Sequence, residues 1–514
     1  MNHYLGVTVV NMLGKALALL KVLFLASTFG TAYQLDAFYI AYLLPIMLPD
    51  VFKGIVNTAF IPHFTRHKDS NPTYFWQGMT ALVSLTLLIQ VLLAAAMFVW
   101  ASSIVDLLAQ DADAQTRALA TDLIRVLSAI MPLLGLNALL VTLSHANNKF
   151  LMAASESAIT NALIIAFLLF AAEPDVVVLS VSVALGFAVF FLAMLYENWG
   201  EFKVHFRFRW NIYDASLATP IRQSLPLLIG YAGAMGIEII DLRFVAKLEE
   251  GSISAFNYAV MLANLPFDIF IAAIIFTAYP TLSRHLAEQR SIVDLYRLGI
   301  SRVLFFAVPS ALIFVFMGQA VIELLLRSGA FDARSVALTD QALMWFGIAL
   351  IPKGLAYFHY RILHASLRSW TQVLIGLLGV VTNALLNLAL YKPFGLAGIT
   401  AATALSLCQS LILSFIVVYR QEFRGVMRDL LRDILRPLAL PFIVVAAVLL
   451  VLQYADALIT FSHHKVDAGF DLLLTGVCGL VVIFAFRWQS LPEIESAKQR
   501  VVTLVKKCVP TSAA

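Results

Sequence analysis

Residues 36–67 read DAFYIAYLLPIMLPDVFKGIVNTAFIPHFTRH, and residues 254–285 read SAFNYAVMLANLPFDIFIAAIIFTAYPTLSRH. A shift of 218 residues lays the first stretch on the second without a gap. Ala37/Ala255, Phe38/Phe256, Ala41/Ala259, Leu44/Leu262, Asp50/Asp268, Phe52/Phe270, Pro62/Pro280, Arg66/Arg284 and His67/His285 are identical. Apolar matches are cheap in lipid-facing helices, but an aligned acid, a terminal proline and an Arg-His pair are not. Further along, Thr160-Asn161-Ala162-Leu163 recurs as Thr382-Asn383-Ala384-Leu385, His145-Ala146 as His364-Ala365, and Pro132 as Pro352. The chain is therefore built from two copies of one unit.

Composition says what the unit is made of. Of 514 residues 61% are hydrophobic and only 13% charged, with a mean hydropathy of +0.87. A soluble domain carries about 25% charge, so soluble enzymes, disordered scaffolds and secreted disulfide proteins are excluded. A membrane span takes about 20 apolar residues. Apolar runs between breakers predict fourteen: 4–29, 36–62, 76–100, 118–143, 152–172, 176–197, 222–247, 255–282, 297–318, 337–361, 370–391, 396–419, 436–454 and 469–486. The expected fold is an all-α polytopic membrane protein of two parallel six-helix repeats plus two C-terminal helices. The lobes would be 1–210 and 211–425, with 426–514 holding the last two helices and a tail. Six spans per copy is even, so both copies point the same way and are related about the membrane normal, as in many transporters.

Orientation follows from Lys and Arg. Of the 35, 23 fall on the side of the N-terminus, six on the other side and six inside spans. The positive-inside rule then puts both termini in the cytoplasm. The first helix carries Lys15 and Lys21 in its middle rather than before it, unlike a signal peptide, and is expected to be retained. Arg420, Arg424, Arg428, Arg432 and Arg436 recur every four residues. They read either as a stripe for anionic membrane lipids or as ordinary positive-inside bias. A net charge of +4 is too small and dispersed for a nucleic-acid surface. Cys408, Cys478 and Cys508 form no metal spacing. His63 and His67, four apart, lack a third ligand and read as loop residues.

Charges inside spans are expensive, roughly 2.5–3.5 kcal/mol even on lenient scales, so they face a cavity, pair or sit near an interface. Lys15, Lys21, Asp36, Asp50, Lys53 and Asp268 are the candidate substrate-binding residues, on the first, second and eighth spans. Asp50 and Lys53, three apart, also read as a local neutralising pair. Deep cations suit an anionic group, with phosphate the obvious one. Gly14-Lys15 lacks the remainder of a P-loop, so a gradient or the membrane potential is the expected energy source. Asp241, Asn383, Asn387 and Thr403 offer carboxylate, amide and hydroxyl oxygens, a hard donor set suited to Na⁺. No catalytic constellation and no cofactor beyond that ion are expected.

Leu324-Leu325-Leu326-Arg327-Ser328-Gly329-Ala330-Phe331-Asp332, followed by Thr339-Asp340-Gln341-Ala342-Leu343, resembles the junction between the ninth and tenth helices of the MurJ/MviN flippases. Leu35-Asp36-Ala37-Phe38 with Leu44-Pro45 resembles their second helix. Asn383-x-x-x-Asn387 with Gly395-Leu396-Ala397-Gly398 resembles their eleventh and twelfth. The resemblance covers essentially the whole chain. It implies the multidrug/oligosaccharidyl-lipid/polysaccharide exporter fold in a bacterial cytoplasmic membrane, and transport without catalysis. The implied substrate is a polyprenyl-diphosphate-linked glycan lipid, above all the peptidoglycan precursor lipid II, and the implied acting unit is a monomer. Its headgroup would cross in the cavity while the tail rides a groove beside the last two helices. Sodium-coupled members resemble the Asp241 arrangement.

The chain departs from the family at several positions. Lysines stand at 15 and 21 for arginines, a family arginine of the second helix falls near Pro49-Asp50, and Met261 and Asn264 replace an arginine and a glutamate. Three alternatives therefore stand beside lipid II transport. They are flipping of an O-antigen or exopolysaccharide unit, cation-coupled drug export, and a non-transporting envelope scaffold.

Overall fold

A computed structural model describes residues 2–60, 63, 64, 70–171, 175–206, 210 and 214–423, with isolated positions between 443 and 450. The expected span at 469–486, all but isolated positions of that at 436–454, most of the arginine stripe, and His67 lie outside the described residues.

Helices account for the described chain: α1 (Asn2–Phe29), α2 (Tyr33–Ile55), α3 (Pro72–Val99), α4 (Ala101–Ala109), α5 (Ala114–Ser128), α6 (Met131–Ala146), α7 (Glu156–Phe170) and α8 (Val176–His205) form the first lobe. The second comprises α9 (Ala218–Val245), α10 (Ser252–Pro266), α11 (Ala272–Ala287), α12 (Val293–Leu325), α13 (Ala333–Ala365) and α14 (Ser369–Glu422). Each of the first twelve expected spans has its helix, though not each is straight. The fourth is broken into α5 and α6, bent by 41°, with Pro132 restarting the chain as a helix-opening residue. The eleventh and twelfth form one run of 54 residues that breaks at Gly395, whose φ of +55° suits glycine and no β-carbon. The second span passes into a π-turn at Val56–Phe60, and the eighth is interrupted by another at Phe267–Ile271.

Local signals fix the boundaries. Asn71 accepts from the Tyr74 amide ahead of Pro72, Asp113 from Thr116, and Asp332 from Ser335, each satisfying a helix-end donor with a side chain. Packing repeats between the copies: α1 lies along α7 as α9 lies along α14, and α2 packs on α5 and α6 as α10 packs on α13. The lobes meet where α2 contacts α9 and α10. The largest apolar cluster draws on both, with Leu25, Phe29 and Phe38 from one lobe and Tyr258, Phe331 and Leu343 from the other.

Candidate transport cavity and cation site

At the end carrying the α1–α2, α9–α10 and α12–α13 connections, the lobes are sealed. Asp36 is buried, and its carboxylate accepts from the Gly251 amide at 2.7 Å, the Ser254 amide at 2.7 Å and the Ser254 hydroxyl at 2.5 Å. Those amides are orphan donors at the start of α10, where Gly251 brings no side chain of its own. An anion is favoured there by both hydrogen bonding and the helix dipole. Glu250 returns the arrangement by accepting from the Tyr33 amide at 3.1 Å, at the start of α2. Each lobe caps a helix of the other.

Backbone completes the seal. The Ala330 amide donates to the Ser27 carbonyl at 2.8 Å, Tyr258 to the Gly30 carbonyl at 3.2 Å, and the Thr31 and Ser335 hydroxyls lie 2.9 Å apart. A β-carbon at Gly329 would stand 2.2 Å from the Ser27 carbonyl oxygen, and one at Gly30 2.3 Å from that of Ala330. Farther out, Arg334 bonds Glu249 and the Glu250 carbonyl, Lys247 pairs with Asp111 at 3.5 Å, and Arg243 donates to the Leu107 carbonyl.

Beyond the seal lies a cavity of about 380 Å³ between α1, α2 and α10. Lys15, Lys21, Tyr39, Tyr42, Asn257, Tyr258, Asn264 and Asp268 supply its polar lining; Val22, Leu25, Met261 and Leu265 are among the apolar residues. Lys15 reaches across to Asp268 at 3.7 Å, with side chains 47% and 53% exposed. That contact is an ion pair too long for a hydrogen bond. Lys21 has no ion-pair partner among the described residues. On α10, Asn264 accepts from Lys353 of α13 at 2.6 Å, and the lysine ammonium stands 4.4 Å from the Phe267 ring centre.

A second polar site is enclosed within the second lobe. Asp241 Oδ1 accepts from the side-chain amides of Asn383 at 3.0 Å and Asn387 at 2.8 Å, while Oδ2 accepts from the Thr403 hydroxyl at 2.7 Å. Asp241, Asn383 and Asn387 are buried, and Asn387 Oδ1 has no partner. A buried anion beside an orphaned amide oxygen fits a small hard cation, since buried charge must be compensated. The amide oxygens and nitrogens exchange places by a side-chain flip. Among the described residues no group of three or more His, Cys, Asp or Glu forms a softer metal site.

The sequence expectations divide accordingly. Lys15, Lys21 and Asp268 line the cavity, and Asp241, Asn383, Asn387 and Thr403 converge. Asp36, expected to bind substrate, instead spends its carboxylate on the first turn of α10. Asp50 and Lys53 are not among the lining residues. Lys53 pairs with Glu156 at 2.5 Å rather than with Asp50, because α7 brings a partly buried carboxylate beside it. Sequence reasoning missed Gly30, Gly251, Gly329 and Ser254 as seal residues, although a glycine in a short interhelical connection is a signal for close approach. His63 bonds Tyr74 at 3.0 Å.

Two lobes with matching helix packing, sealed at one end over a lysine-lined cavity and holding a separate buried acid site, have the architecture of a membrane transporter. The comparisons agree with that class. A solved structure described as "Lipid II flippase MurJ, inward closed conformation" superposes with a TM-score of 0.77 at 19% identity, covering 93% of this chain and 98% of that one. An inward-facing multidrug resistance MATE family transporter follows with a TM-score of 0.66 at 13% identity, covering 82% and 99%. Among sequences, the Thermotoga maritima "Probable lipid II flippase MurJ" is 26% identical over 76% of this chain and 79% of its own length. The Buchnera aphidicola (Acyrthosiphon pisum) protein of the same description is 24% identical over 80% and 82%. The family model "Lipid II flippase MurJ" matches residues 25–466, and the chain belongs to that family.

Proposed function

We propose that this protein flips an undecaprenyl-diphosphate-linked glycan, lipid II, across the bacterial cytoplasmic membrane for peptidoglycan synthesis, by alternating access and without catalysing a reaction. The observation that carries this reading is the cavity with Lys15 and Lys21, closed at one end by interlobe contacts. Two ammonium groups match a diphosphate in a setting of low dielectric. The positive-inside count puts the sealed end outside, so this state faces inward and receives substrate from the cytoplasmic leaflet. Transport follows when the Asp36 and Glu250 caps release and the lobes rock apart at the sealed end while closing at the other. On this reading the acting unit is a monomer. The polyprenyl tail stays in lipid, and anionic lipids meet the arginine stripe.

Asp241, Asn383, Asn387 and Thr403 are the residues that would hold Na⁺. Bound there, the ion would compensate the buried Asp241 charge, and its passage down a gradient would drive the exchange of states. Because α9 carries Asp241 and also borders the first lobe through α2, occupancy of this site bears on how the lobes meet.

The test is reconstitution into vesicles with fluorescent lipid II, together with complementation of a strain depleted of its lipid II flippase. Flipping and rescue are expected, with Lys15→Ala/Lys21→Ala inactive. A purified protein that flips an O-antigen or exopolysaccharide lipid but not lipid II would overturn the assignment of glycan. One that flips neither would overturn the assignment of activity.

A further inference from the structure

A second cavity, of about 310 Å³, lies in the first lobe, apart from the lysine-lined one. Its lining is apolar throughout: Met79, Val83 and Leu87 recur every four residues along α3, Leu140 comes from α6, and Leu195 and Trp199 come from α8. α3 and α8 each pack on α6 but hardly on each other, so the cavity is a slot between them with α6 as its floor. Trp199 is 53% exposed, and α8 exposes Leu192 and Tyr196 beside it, so the slot opens on the lipid-facing surface. Packed interiors keep few voids larger than a water molecule, and an empty one costs stability in proportion to its volume. The second lobe treats the same space differently. Its ninth, tenth and twelfth spans are the counterparts of the third, fourth and sixth. The offsets that pair Pro132 with Pro352 and His145 with His364 lay Leu139 and Leu140 on the segment Phe358-His359-Tyr360. There His359 joins the Tyr296 hydroxyl at 2.9 Å and the Ser414 hydroxyl at 3.1 Å, with Phe358 and Phe423 buried around them. One lobe plugs the gap with its own aromatic side chains, and the other leaves it open to lipid.

We propose that this slot is a binding site for one acyl chain of a membrane phospholipid, whose phosphate meets Lys203. Residues 79 to 87 of α3 span about 12 Å of helix, close to the ~15 Å of hydrocarbon in one leaflet. A straight acyl chain matches that length; a polyprenyl tail is branched at every unit and much longer. The polar end is also in place. Lys203 follows Trp199 by four residues on the same face of α8 and is exposed. By the positive-inside count this end of α8 lies at the cytoplasmic interface, where tryptophan rings and lysine ammoniums sit at the level of the headgroups. Lys149, also exposed, is fixed nearby by donating to the Glu197 carbonyl of α8 at 3.1 Å. The bound chain does for the first lobe what the Tyr296–His359–Ser414 plug does for the second: it fills the space between three spans and holds α3 and α8 at their separation. The site is independent of which glycan the central cavity carries.

The experiment is photolabelling of the full chain in vesicles of phosphatidylethanolamine and phosphatidylglycerol. A trace of phosphatidylglycerol carries a diazirine at the end of one acyl chain, and labelled peptides are mapped by mass spectrometry. Diacylglycerol with the same chain and diazirine-bearing undecaprenyl phosphate are run in parallel, and Phe170, 87% exposed, reports contact with bulk lipid. Phosphatidylglycerol is expected to label the slot residues of α3, α6 or α8 above the level at Phe170, and to label them more than diacylglycerol does. Leu140→Trp fills the slot and is expected to bring its labelling down to the Phe170 level, leaving Phe170 unchanged. Lys203→Gln is expected to lower slot labelling by phosphatidylglycerol roughly fivefold, the worth of one lysine at an anionic headgroup, without affecting diacylglycerol. Slot labelling no greater than that of Phe170, or unaltered by Leu140→Trp, overturns the site. Equal labelling by diacylglycerol overturns the phosphate contact, and preferential labelling by undecaprenyl phosphate overturns the acyl chain as occupant. Should Leu140→Trp fail to fold, Leu195→Trp fills the slot from α8, and Lys203→Gln, at an exposed position, decides by its direction.

Discussion

Asp36 and Ser254 occupy the same position in the two copies of the repeat, 218 residues apart, and they touch: the Ser254 hydroxyl and amide donate to one Asp36 oxygen at 2.5 and 2.7 Å. Residues related by a twofold axis meet only close to that axis. The axis that relates the two copies therefore passes close to this contact.

Replacing Asp36 removes an anion from two orphan amides and a hydroxyl. Hydrogen bonds to charged groups contribute about 1.5–3 kcal/mol each, so Asp36→Asn is expected to shift the sealed state towards opening by tenfold or more. Distance measurements between spin labels on the α1–α2 and α12–α13 connections check this. An unchanged distance distribution would count against the capping role.

Gly329 makes a second test, on sterics alone. With φ at +56° and the Ser27 carbonyl oxygen 2.2 Å from its would-be β-carbon, Gly329→Ala cannot keep the present closure. A cysteine placed at buried Thr31 (Thr31→Cys), in a chain with Cys408, Cys478 and Cys508 replaced by serine, is expected to gain reactivity towards an impermeant maleimide when Gly329→Ala is added. Transport should fall while the protein remains in the membrane.

Sodium binding at Asp241 is checked by thermal unfolding. A ligand that binds only the folded state stabilises it with concentration, so NaCl is expected to raise the melting temperature above that in equal KCl. Asp241→Asn and Asn387→Leu should abolish the difference. Equal curves in both salts for the parent protein would remove sodium from the mechanism.

Asp332 gives a pH test outside the membrane. The Ser335 backbone amide, 2.8 Å away, leads the contacts that hold its carboxyl below the ordinary carboxylate value. A value lower in the folded state than in the unfolded one contributes stability above the unfolded value, and that stability is lost as pH falls through the folded one. Asp332→Ala is therefore expected to cost about 1 kcal/mol at neutral pH, as helix caps do. The gap to the parent should close in acid. A gap that widens in acid would contradict the direction of the shift.

What the sequence discloses follows from the cost of burying charge. Lys15, Lys21, Asp241, Asn383, Asn387 and Thr403 are polar groups in apolar helices, and each requires a reason that a cavity or a ligand set supplies. The first twelve spans were legible for the same cause, since lipid enforces a length and a composition. Pairing was not legible. Lys53 had a plausible neighbour at Asp50, but its partner, Glu156, is 103 residues away. Asp36 looked like one more cavity acid because the start of α10 lies a full repeat distant.

The two ends of this molecule are written in different alphabets. Closure joins main-chain amides and carbonyls to the Asp36 and Glu250 carboxylates, whereas the polar lining of the cavity consists of side chains. Lys15, Lys21 and Met261 line the cavity and make none of the closing contacts, so a substitution there alters the lining and leaves the closing groups in place, whereas Tyr258 belongs to both.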